Sequence, residues 1–196
     1  MPRLLIATAA LVGALGSAPN AFAKLAYPPN CTIDPVVLGD AGGAHAFRVV
    51  LRDFSGIPEA RSLATLDFSG TPVRLYSAQE AGTTLDCASR TLSRVTDSEG
   101  AAVFHPRMGG ACNDRSVRLS ADGVFVALLP ARSTDMDGLD GGTGIGDLGR
   151  FAPLLLDRST GHPEADFDAS GGSIGLADFA ILARDLLSWA KGDYCP

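Results

Sequence analysis

One acidic sequence segment occurs twice near the C-terminus. Residues 135–147 have the sequence DMDGLDGGTGIGD, and residues 166–178 have the sequence DFDASGGSIGLAD. Three aspartates recur, each 31 residues after its counterpart in the first copy: Asp135 and Asp166, Asp137 and Asp168, and Asp147 and Asp178. A repeat at fixed spacing predicts two copies of one structural unit that pack against each other.

The composition of each copy suits a hard cation. Ca²⁺ takes about six to eight oxygen ligands, which carboxylates and backbone carbonyls supply. Three carboxylates in one short loop repel one another, so an ion that binds them stabilises the folded loop. Apolar residues follow each copy at the spacing of one helix face: Leu148, Phe151 and Leu155, then Phe179, Leu182 and Leu186. The repeat therefore predicts two loop–helix units, each with a cation site where its helix begins.

Residues 133–189 resemble a dockerin, a duplicated calcium-loop module of bacterial secreted proteins that is related to the EF-hand. The resemblance implies Ca²⁺ as the bound ion. In the first loop it implies these ligands: Asp135, Asp137, Asp147, either the backbone of Leu139 or the side chain of Asp140, and a carbonyl near Thr143. In the second loop it implies Asp166, Asp168, Ser170 and Asp178, with a carbonyl near Ser173.

Two features depart from that family. Each loop spans thirteen residues, whereas the usual loop has about twelve, and Pro153 weakens the first helix because it lacks an N–H donor. The pairs before the last aspartate, Ile145-Gly146 and Leu176-Ala177, are apolar, whereas cohesin-binding dockerins often carry polar residues there. Two interpretations therefore stand side by side: a structural calcium module, and a module that binds a cohesin-like partner.

The N-terminus has the features of a secretory signal over residues 1–23. Arg3 precedes an apolar run at 4–15, which is shorter than the about 20 residues that span a bilayer. The tripeptide at 21–23, AFA, is a small-x-small cleavage site. We expect a secreted chain, extracellular or at the cell surface, without a transmembrane segment. The net charge of −6 argues against a nucleic-acid partner, which requires a basic face.

Residues 24–131 carry a β pattern and residues 132–196 hold the acidic repeat. Runs of apolar or alternating residues between turn residues predict strands at 46–52, 62–68, 72–76, 91–96, 101–105, 116–120 and 124–129. VTDSEGAAVF at 95–104 resembles a hairpin of invasin-like bacterial Ig domains, and RDFSGIP at 52–58 resembles the turn after their second strand. The expected fold is mainly β with a small α C-terminal module. An Ig-like antiparallel β-sandwich would be joined by a short link at 130–132 to the dockerin-like pair.

Four cysteines in a secreted chain suggest two disulfides, for which three pairings are possible. We favour Cys87–Cys112 together with Cys31–Cys195, which would tie the two ends of the mature chain. The sequence contains no nucleophile elbow, zinc-protease helix motif or phosphate-binding loop, so we expect a non-catalytic protein. Its expected partners are a cohesin-like or cell-surface protein and, for the sandwich, a carbohydrate.

Overall fold

The computed structural model describes residues 25–139, 141–157, 162–171, 174–188 and 190–196. The described strands are β1 (Thr32–Ile33), β2 (Val37–Gly39), β3 (Phe47–Val50), β4 (Leu63–Asp67), β5 (Arg74–Leu75), β6 (Thr84–Asp86), β7 (Thr91–Val95), β8 (Ala101–Phe104), β9 (Met108–Gly109), β10 (Cys112–Ala121) and β11 (Val124–Ser133). The α-helices are α1 (Ile145–Leu156) and α2 (Leu176–Ser188), and single 3-10 turns lie at Pro28–Asn30 and Pro163–Ala165. The chain is mainly β with a small α portion, which confirms that prediction.

The described strands form three sheets. One has the order β1-β3-β8, a larger one has the order β2-β11-β10-β4-β7-β6, and β5 pairs with β9. The pairs are antiparallel, except that β2 runs parallel to β11. The sequence patterns predicted antiparallel strands alone. They did not predict β1, β2, β6 or β9, which have only two or three residues and are too short to show a pattern of alternation.

The two larger sheets share one apolar core. Along β4, Ala64 and Leu66 are buried, whereas the residues beside them are at least partly exposed. This alternation is typical of a strand with one covered face. Phe47 and Phe104 from the smaller sheet belong to the same buried cluster as Leu66. Five of the seven runs that were predicted to be strands contain one, and the runs at 116–120 and 124–129 lie within the longer β10 and β11.

Strand β11 is longer than the sequence pattern predicts. Residues 130–132, expected to be a link between domains, lie within β11 and pair in part with β2. The proline that suggested a link is accommodated by an irregularity in the ladder. The register between β10 and β11 shifts beside Pro130, where a regular ladder would need the N–H that proline lacks.

The two helices contribute to a second, smaller apolar cluster. Phe151 of α1 and Leu182 of α2 are fully buried there, together with Ala165 and Phe167 from the segment between the helices. Pro153 lies in the last turn of α1 and does not end the helix early. Among the described helices, none is long and apolar enough to cross a membrane.

The disulfide joins Cys87 to Cys195, and Cys31 is a free thiol. Both pairings favoured from the sequence are therefore wrong. The reason is the path of the C-terminal tail along β5: the Cys195 N–H donates to the Leu75 carbonyl at 2.8 Å. This path brings Cys195 to Cys87, which directly follows β6, and not to the beginning of the chain.

Candidate metal centre

The structure brings each set of repeated aspartates together. Carboxylate oxygens lie within 4.8 Å of one another in two groups, which we call the first loop (Asp135, Asp137, Asp147) and the second loop (Asp166, Asp168, Asp178). The outer members of each group are buried. The middle members differ, since Asp137 is half-buried and Asp168 is exposed.

Backbone N–H groups orient the carboxylates of the first loop. Asp147 accepts two hydrogen bonds, at 3.1 Å from the N–H of Asp137 on Oδ1 and at 2.7 Å from the N–H of Gly144 on Oδ2. Asp137 accepts the N–H of Leu139 at 2.9 Å. Each of these bonds is accepted by a carboxylate oxygen. The N–H groups of the loop backbone therefore point toward negatively charged groups.

The second loop repeats this arrangement. Asp178 accepts the N–H of Asp168 at 3.1 Å on Oδ1 and the N–H of Gly175 at 2.9 Å on Oδ2. Asp168 accepts the N–H of Ser170 at 2.9 Å. Each of these bonds involves residues exactly one repeat after those of the first loop, so the sequence repeat is also a repeat of local geometry.

Two local features account for the shared geometry. Gly138 and Ala169, at equivalent positions, both adopt left-handed backbone conformations with φ of 61° and 55°, which turn the chain sharply after the second aspartate. Asp147 and Asp178 each lie in the first turn of a helix. A carboxylate is favoured there by the positive end of the helix dipole and by free N–H groups.

Outside this shared frame, the first loop contacts two tyrosines. The hydroxyl groups of Tyr76, at 2.5 Å, and of Tyr194 both donate to Asp135 Oδ2, while Oδ1 accepts the N–H of Gly138 at 3.0 Å. The cluster is packed closely against Gly109. A Cβ at Gly109 would overlap the Tyr194 hydroxyl and lie 2.7 Å from Asp135 Oδ2, so a larger residue does not fit.

The second loop contacts an arginine instead. Arg132 Nη1 lies 3.2 Å from Asp166 Oδ2 and also donates to the main-chain carbonyl of Asp166. Asp166 accepts the N–H groups of Ser170 at 3.0 Å and Gly171 at 3.1 Å as well. Both Arg132 and Asp166 are buried. The second loop thus carries a positive charge from β11 on its first carboxylate, whereas the guanidinium of Arg74 contacts the first loop at the main-chain carbonyl of Gly138, at 2.8 Å.

The electrostatics of the first loop favour a bound cation. Burial raises the pKa of Asp147 to about 6, and the charges of Asp135 and Asp137 add to this effect. Burial also raises the pKa of Asp135. In the second loop, the hydrogen bonds from Ser170 lower the pKa of Asp168. In the first loop, carboxylates that have no ion-pair partner among the described residues and offer only oxygen atoms fit a hard divalent cation.

Three of the other predicted ligands, Leu139, Thr143 and Ser170, belong to the described residues. Thr143 is buried and its hydroxyl lies 2.9 Å from that of Thr134. Leu139 has an exposed side chain without any ligand atom, so only its backbone carbonyl can contribute. Ser170 Oγ lies 3.4 Å from Asp166 Oδ1. Asp140 and Ser173 lie outside the described residues.

A third group of potential ligands was missed by the sequence analysis. Asp40, His45 and Asp185 are buried together, with His45 Nε2 at 2.8 Å from Asp185 Oδ2. Thr134 donates to the same oxygen, and Arg184 contacts both His45 and Asp185. Burial would raise the pKa of Asp185, but the hydrogen bond and charge of His45, with the other two donors, lower it. No sequence spacing links these residues, which tie α2 to the loop before β3.

No protein-family model, curated protein or solved structure matches this chain. Its function is therefore inferred from the geometry of its own residues. The internal repeat supplies a comparison of its own, because each acidic loop can be set against its copy.

Proposed function

We propose that this chain is a secreted, non-catalytic calcium-binding protein. A dockerin-like pair of calcium loops packs against an Ig-like β-sandwich and stabilises it, at the cell surface or in an extracellular assembly. The proposal is carried by the repeated hydrogen bonding around the acidic groups. Asp147 and Asp178 each accept two backbone N–H groups, and Asp137 and Asp168 each accept one, at equivalent positions.

Calcium is the ion that best suits these groups. The six aspartates offer oxygen atoms and no nitrogen or sulfur, which suits Ca²⁺ and Mg²⁺ better than zinc or copper. Calcium also tolerates an irregular shell of about six to eight oxygens, whereas Mg²⁺ requires near-ideal octahedral geometry. A short loop that combines carboxylates with backbone carbonyls is therefore better matched to Ca²⁺.

The ion would have a structural role. Asp135, Asp137 and Asp147 would hold one ion, and Asp166, Asp168, Ser170 and Asp178 the other. When bound, calcium supplies the positive charge that allows neighbouring carboxylates to ionise together. Each loop leads directly into a helix that contributes to the buried cluster of Phe151, Phe167 and Leu182. Ion binding would therefore stabilise the packing of both helices.

A second candidate function, docking to a cohesin-like partner, is favoured by exposed apolar residues that obey the repeat. Ile145 and Leu176, which begin the two helices, are 79% and 80% exposed. Leu156 and Leu187, also at equivalent positions, are 81% and 72% exposed. Such paired apolar residues suit a partner that contacts both helices. Calorimetry with a cohesin domain, in calcium and in chelator, tests this, and Ile145→Arg with Leu176→Arg should abolish any binding that is found.

Thermal unfolding of the full chain tests calcium binding itself. A ligand that binds only the folded state at 100 times its Kd stabilises it by about 2.7 kcal/mol per site, so calcium should raise the Tm relative to chelator. Asp147→Asn combined with Asp178→Asn should remove most of this increase.

Glu99→Gln provides the matched control, because it removes a carboxylate from an exposed turn between β7 and β8. This variant should keep the full calcium response. Equal Tm values in calcium and chelator for the unaltered chain would refute the proposal. A full response in the double Asp→Asn variant would refute the assignment of the ligands.

A further inference from the structure

In both acidic loops the second and last aspartates accept the same backbone hydrogen bonds. The loops differ in which side chains contact the first aspartate. Asp135 is contacted by two neutral hydroxyl donors, and Asp166 by a guanidinium group. We propose that this difference makes the loops unequal: Tyr76 and Tyr194 position Asp135 for a divalent cation, whereas Arg132 supplies a built-in positive charge to the second loop and weakens its ion binding. This inference rests on the proposed calcium function and adds an order of binding to it.

The tyrosine pair is held rigidly. Tyr76 is fully buried, and its ring stacks on that of Tyr194 with centroids 4.4 Å apart. Tyr194 is further held by the guanidinium of Arg74, 4.0 Å above its ring, and by the neighbouring disulfide at Cys195. Both hydroxyl groups donate to the same oxygen of Asp135. They therefore orient the carboxylate without cancelling its charge.

Hydrogen bonds of this kind strengthen metal sites. Groups that orient a ligating carboxylate reduce the ordering that ion binding requires, and their removal typically costs about 10–100-fold in metal affinity. Among the described residues, no lysine or arginine forms an ion pair with Asp135, Asp137 or Asp147. The guanidinium of Arg74 contacts this loop at the Gly138 carbonyl, at 2.8 Å. The first loop thus combines an oriented ligand with carboxylates that have no ion-pair partner among the described residues.

The arginine of the second loop acts in the opposite direction. Arg132 is buried, and a guanidinium keeps its charge in proteins. Its Nη1 contacts Asp166, while its Nε has no hydrogen-bond partner in the part of the chain that the structure describes. Arg132 therefore partly neutralises the second loop before any ion arrives, and its charge repels a cation that binds there. The second loop should fill after the first.

Single-loop variants of the full chain allow each affinity to be measured by calcium titration calorimetry. Asp178→Asn leaves the first loop intact, and Asp147→Asn leaves the second. We expect calcium to bind the first loop at least about tenfold more tightly than the second, in line with the effect of groups that orient a ligand. This comparison leaves Tyr76, Tyr194 and Arg132 untouched, so it does not depend on how their substitution affects folding.

Substitutions of the two tyrosines and of Arg132 should then move the calcium affinities of the two loops in opposite directions. Tyr76→Phe with Tyr194→Phe should weaken the first loop by about 10–100-fold and leave the second unchanged. Arg132→Gln should tighten the second loop and leave the first unchanged, and Arg132→Lys, which keeps the charge, should not tighten it.

Different failures have different meanings. Equal affinities in the single-loop variants, or tyrosine substitutions that weaken both loops equally, would overturn the inference and leave calcium binding standing. An Arg132→Gln variant with unaltered affinity in its second loop would overturn the role of the arginine. Absence of any calcium binding by the unaltered chain would refute the proposed function itself.

Discussion

The first acidic loop lies against the β-sheets and the C-terminal tail, whereas the second is more open to solvent. Asp135 is completely buried beneath Tyr76 and Tyr194, while Asp168 of the second loop is exposed. The hydrogen bonds that the second and last aspartates accept are nevertheless the same, with lengths that agree within 0.2 Å between copies: 3.1 and 3.1 Å, 2.9 and 2.9 Å, and 2.7 and 2.9 Å.

The comparison separates local from tertiary effects. The hydrogen bonds that the second and last aspartates accept join residues close in sequence, so a repeated sequence produces them twice. The outer contacts come from residues far along the chain: Tyr76 follows β5, Arg132 lies in β11, and Tyr194 lies in the tail. Because one fold surrounds both copies, it presents a different neighbour to each. Duplicated sequence therefore does not require duplicated affinity.

The largest expected effect concerns the helix cores of the two repeats. Phe151 and Leu182 occupy equivalent positions and are both fully buried. Phe151 also lies near two rings, with centroids 5.8 Å from Phe167 and 6.3 Å from Phe179. Phe151→Ala should lower the free energy of unfolding by about 3–5 kcal/mol and Leu182→Ala by about 2–4 kcal/mol, measured by urea denaturation.

Leu187→Ala is the control for these two variants. Leu187 is on α2 but is 72% exposed, so its truncation should change the free energy of unfolding by no more than about 0.5 kcal/mol. If Leu182→Ala costs more than Phe151→Ala, the first repeat does not provide the larger share of the helix core.

The second-largest expected effect concerns the disulfide, because Cys195 directly follows Tyr194, which contacts the first loop. Cys87 and Cys195 are 108 residues apart in sequence, and loss of a native disulfide in a secreted domain typically costs about 2–5 kcal/mol. Cys87→Ser with Cys195→Ser should lower the free energy of unfolding by a similar amount. Because Tyr194 precedes Cys195, the same variant should weaken calcium binding in the first loop more than in the second.

Cys31→Ser is the matched control, because Cys31 is a free thiol. It should change the free energy of unfolding by less than about 1 kcal/mol and leave both calcium affinities unaltered. An equal loss of affinity in both loops of the double Cys→Ser variant would show that the tail acts on the whole helical region and has no special relation to Asp135.

Local patterns in the sequence predicted much of this molecule. The offset of 31 residues identified both carboxylate groups and the buried pair of Phe151 and Leu182, because these depend on spacing within a repeat. Runs of apolar or alternating residues between turn residues identified seven of the strand regions, because these patterns are also local. Contacts between distant segments could not be predicted. The Cys87–Cys195 disulfide and the pairing of β2 with β11 depend on the path of the chain in space.

Predictions about the acidic loops were limited in the same way, because contacts with distant segments could not be predicted. The pattern of aspartates, glycines and a following helix identified the carboxylates that lie together in each loop, yet Pro153 suggested that the first loop–helix unit was the weaker one. The structure places this proline in the last turn of α1, away from the aspartates. It also places Asp135 against Tyr76, which follows β5, and against Tyr194 of the tail. Distant residues, which no local pattern can identify, thus distinguish the two loops.

The smallest expected effect comes from the left-handed turn that both loops share. Gly138 and Ala169 occupy equivalent positions with φ of 61° and 55°, a conformation that costs an ordinary residue about 1–2 kcal/mol relative to glycine. Gly138→Ala should therefore lower the free energy of unfolding by about 1 kcal/mol, since its Cβ would also lie only 3.4 Å from the backbone nitrogen of Gly110. Ala169→Gly should raise it by up to about 1 kcal/mol, because relief of strain exceeds the entropy gained by the unfolded chain. Urea denaturation of both variants in calcium measures these changes, and shifts of the same sign would show that the two turns are not equivalent.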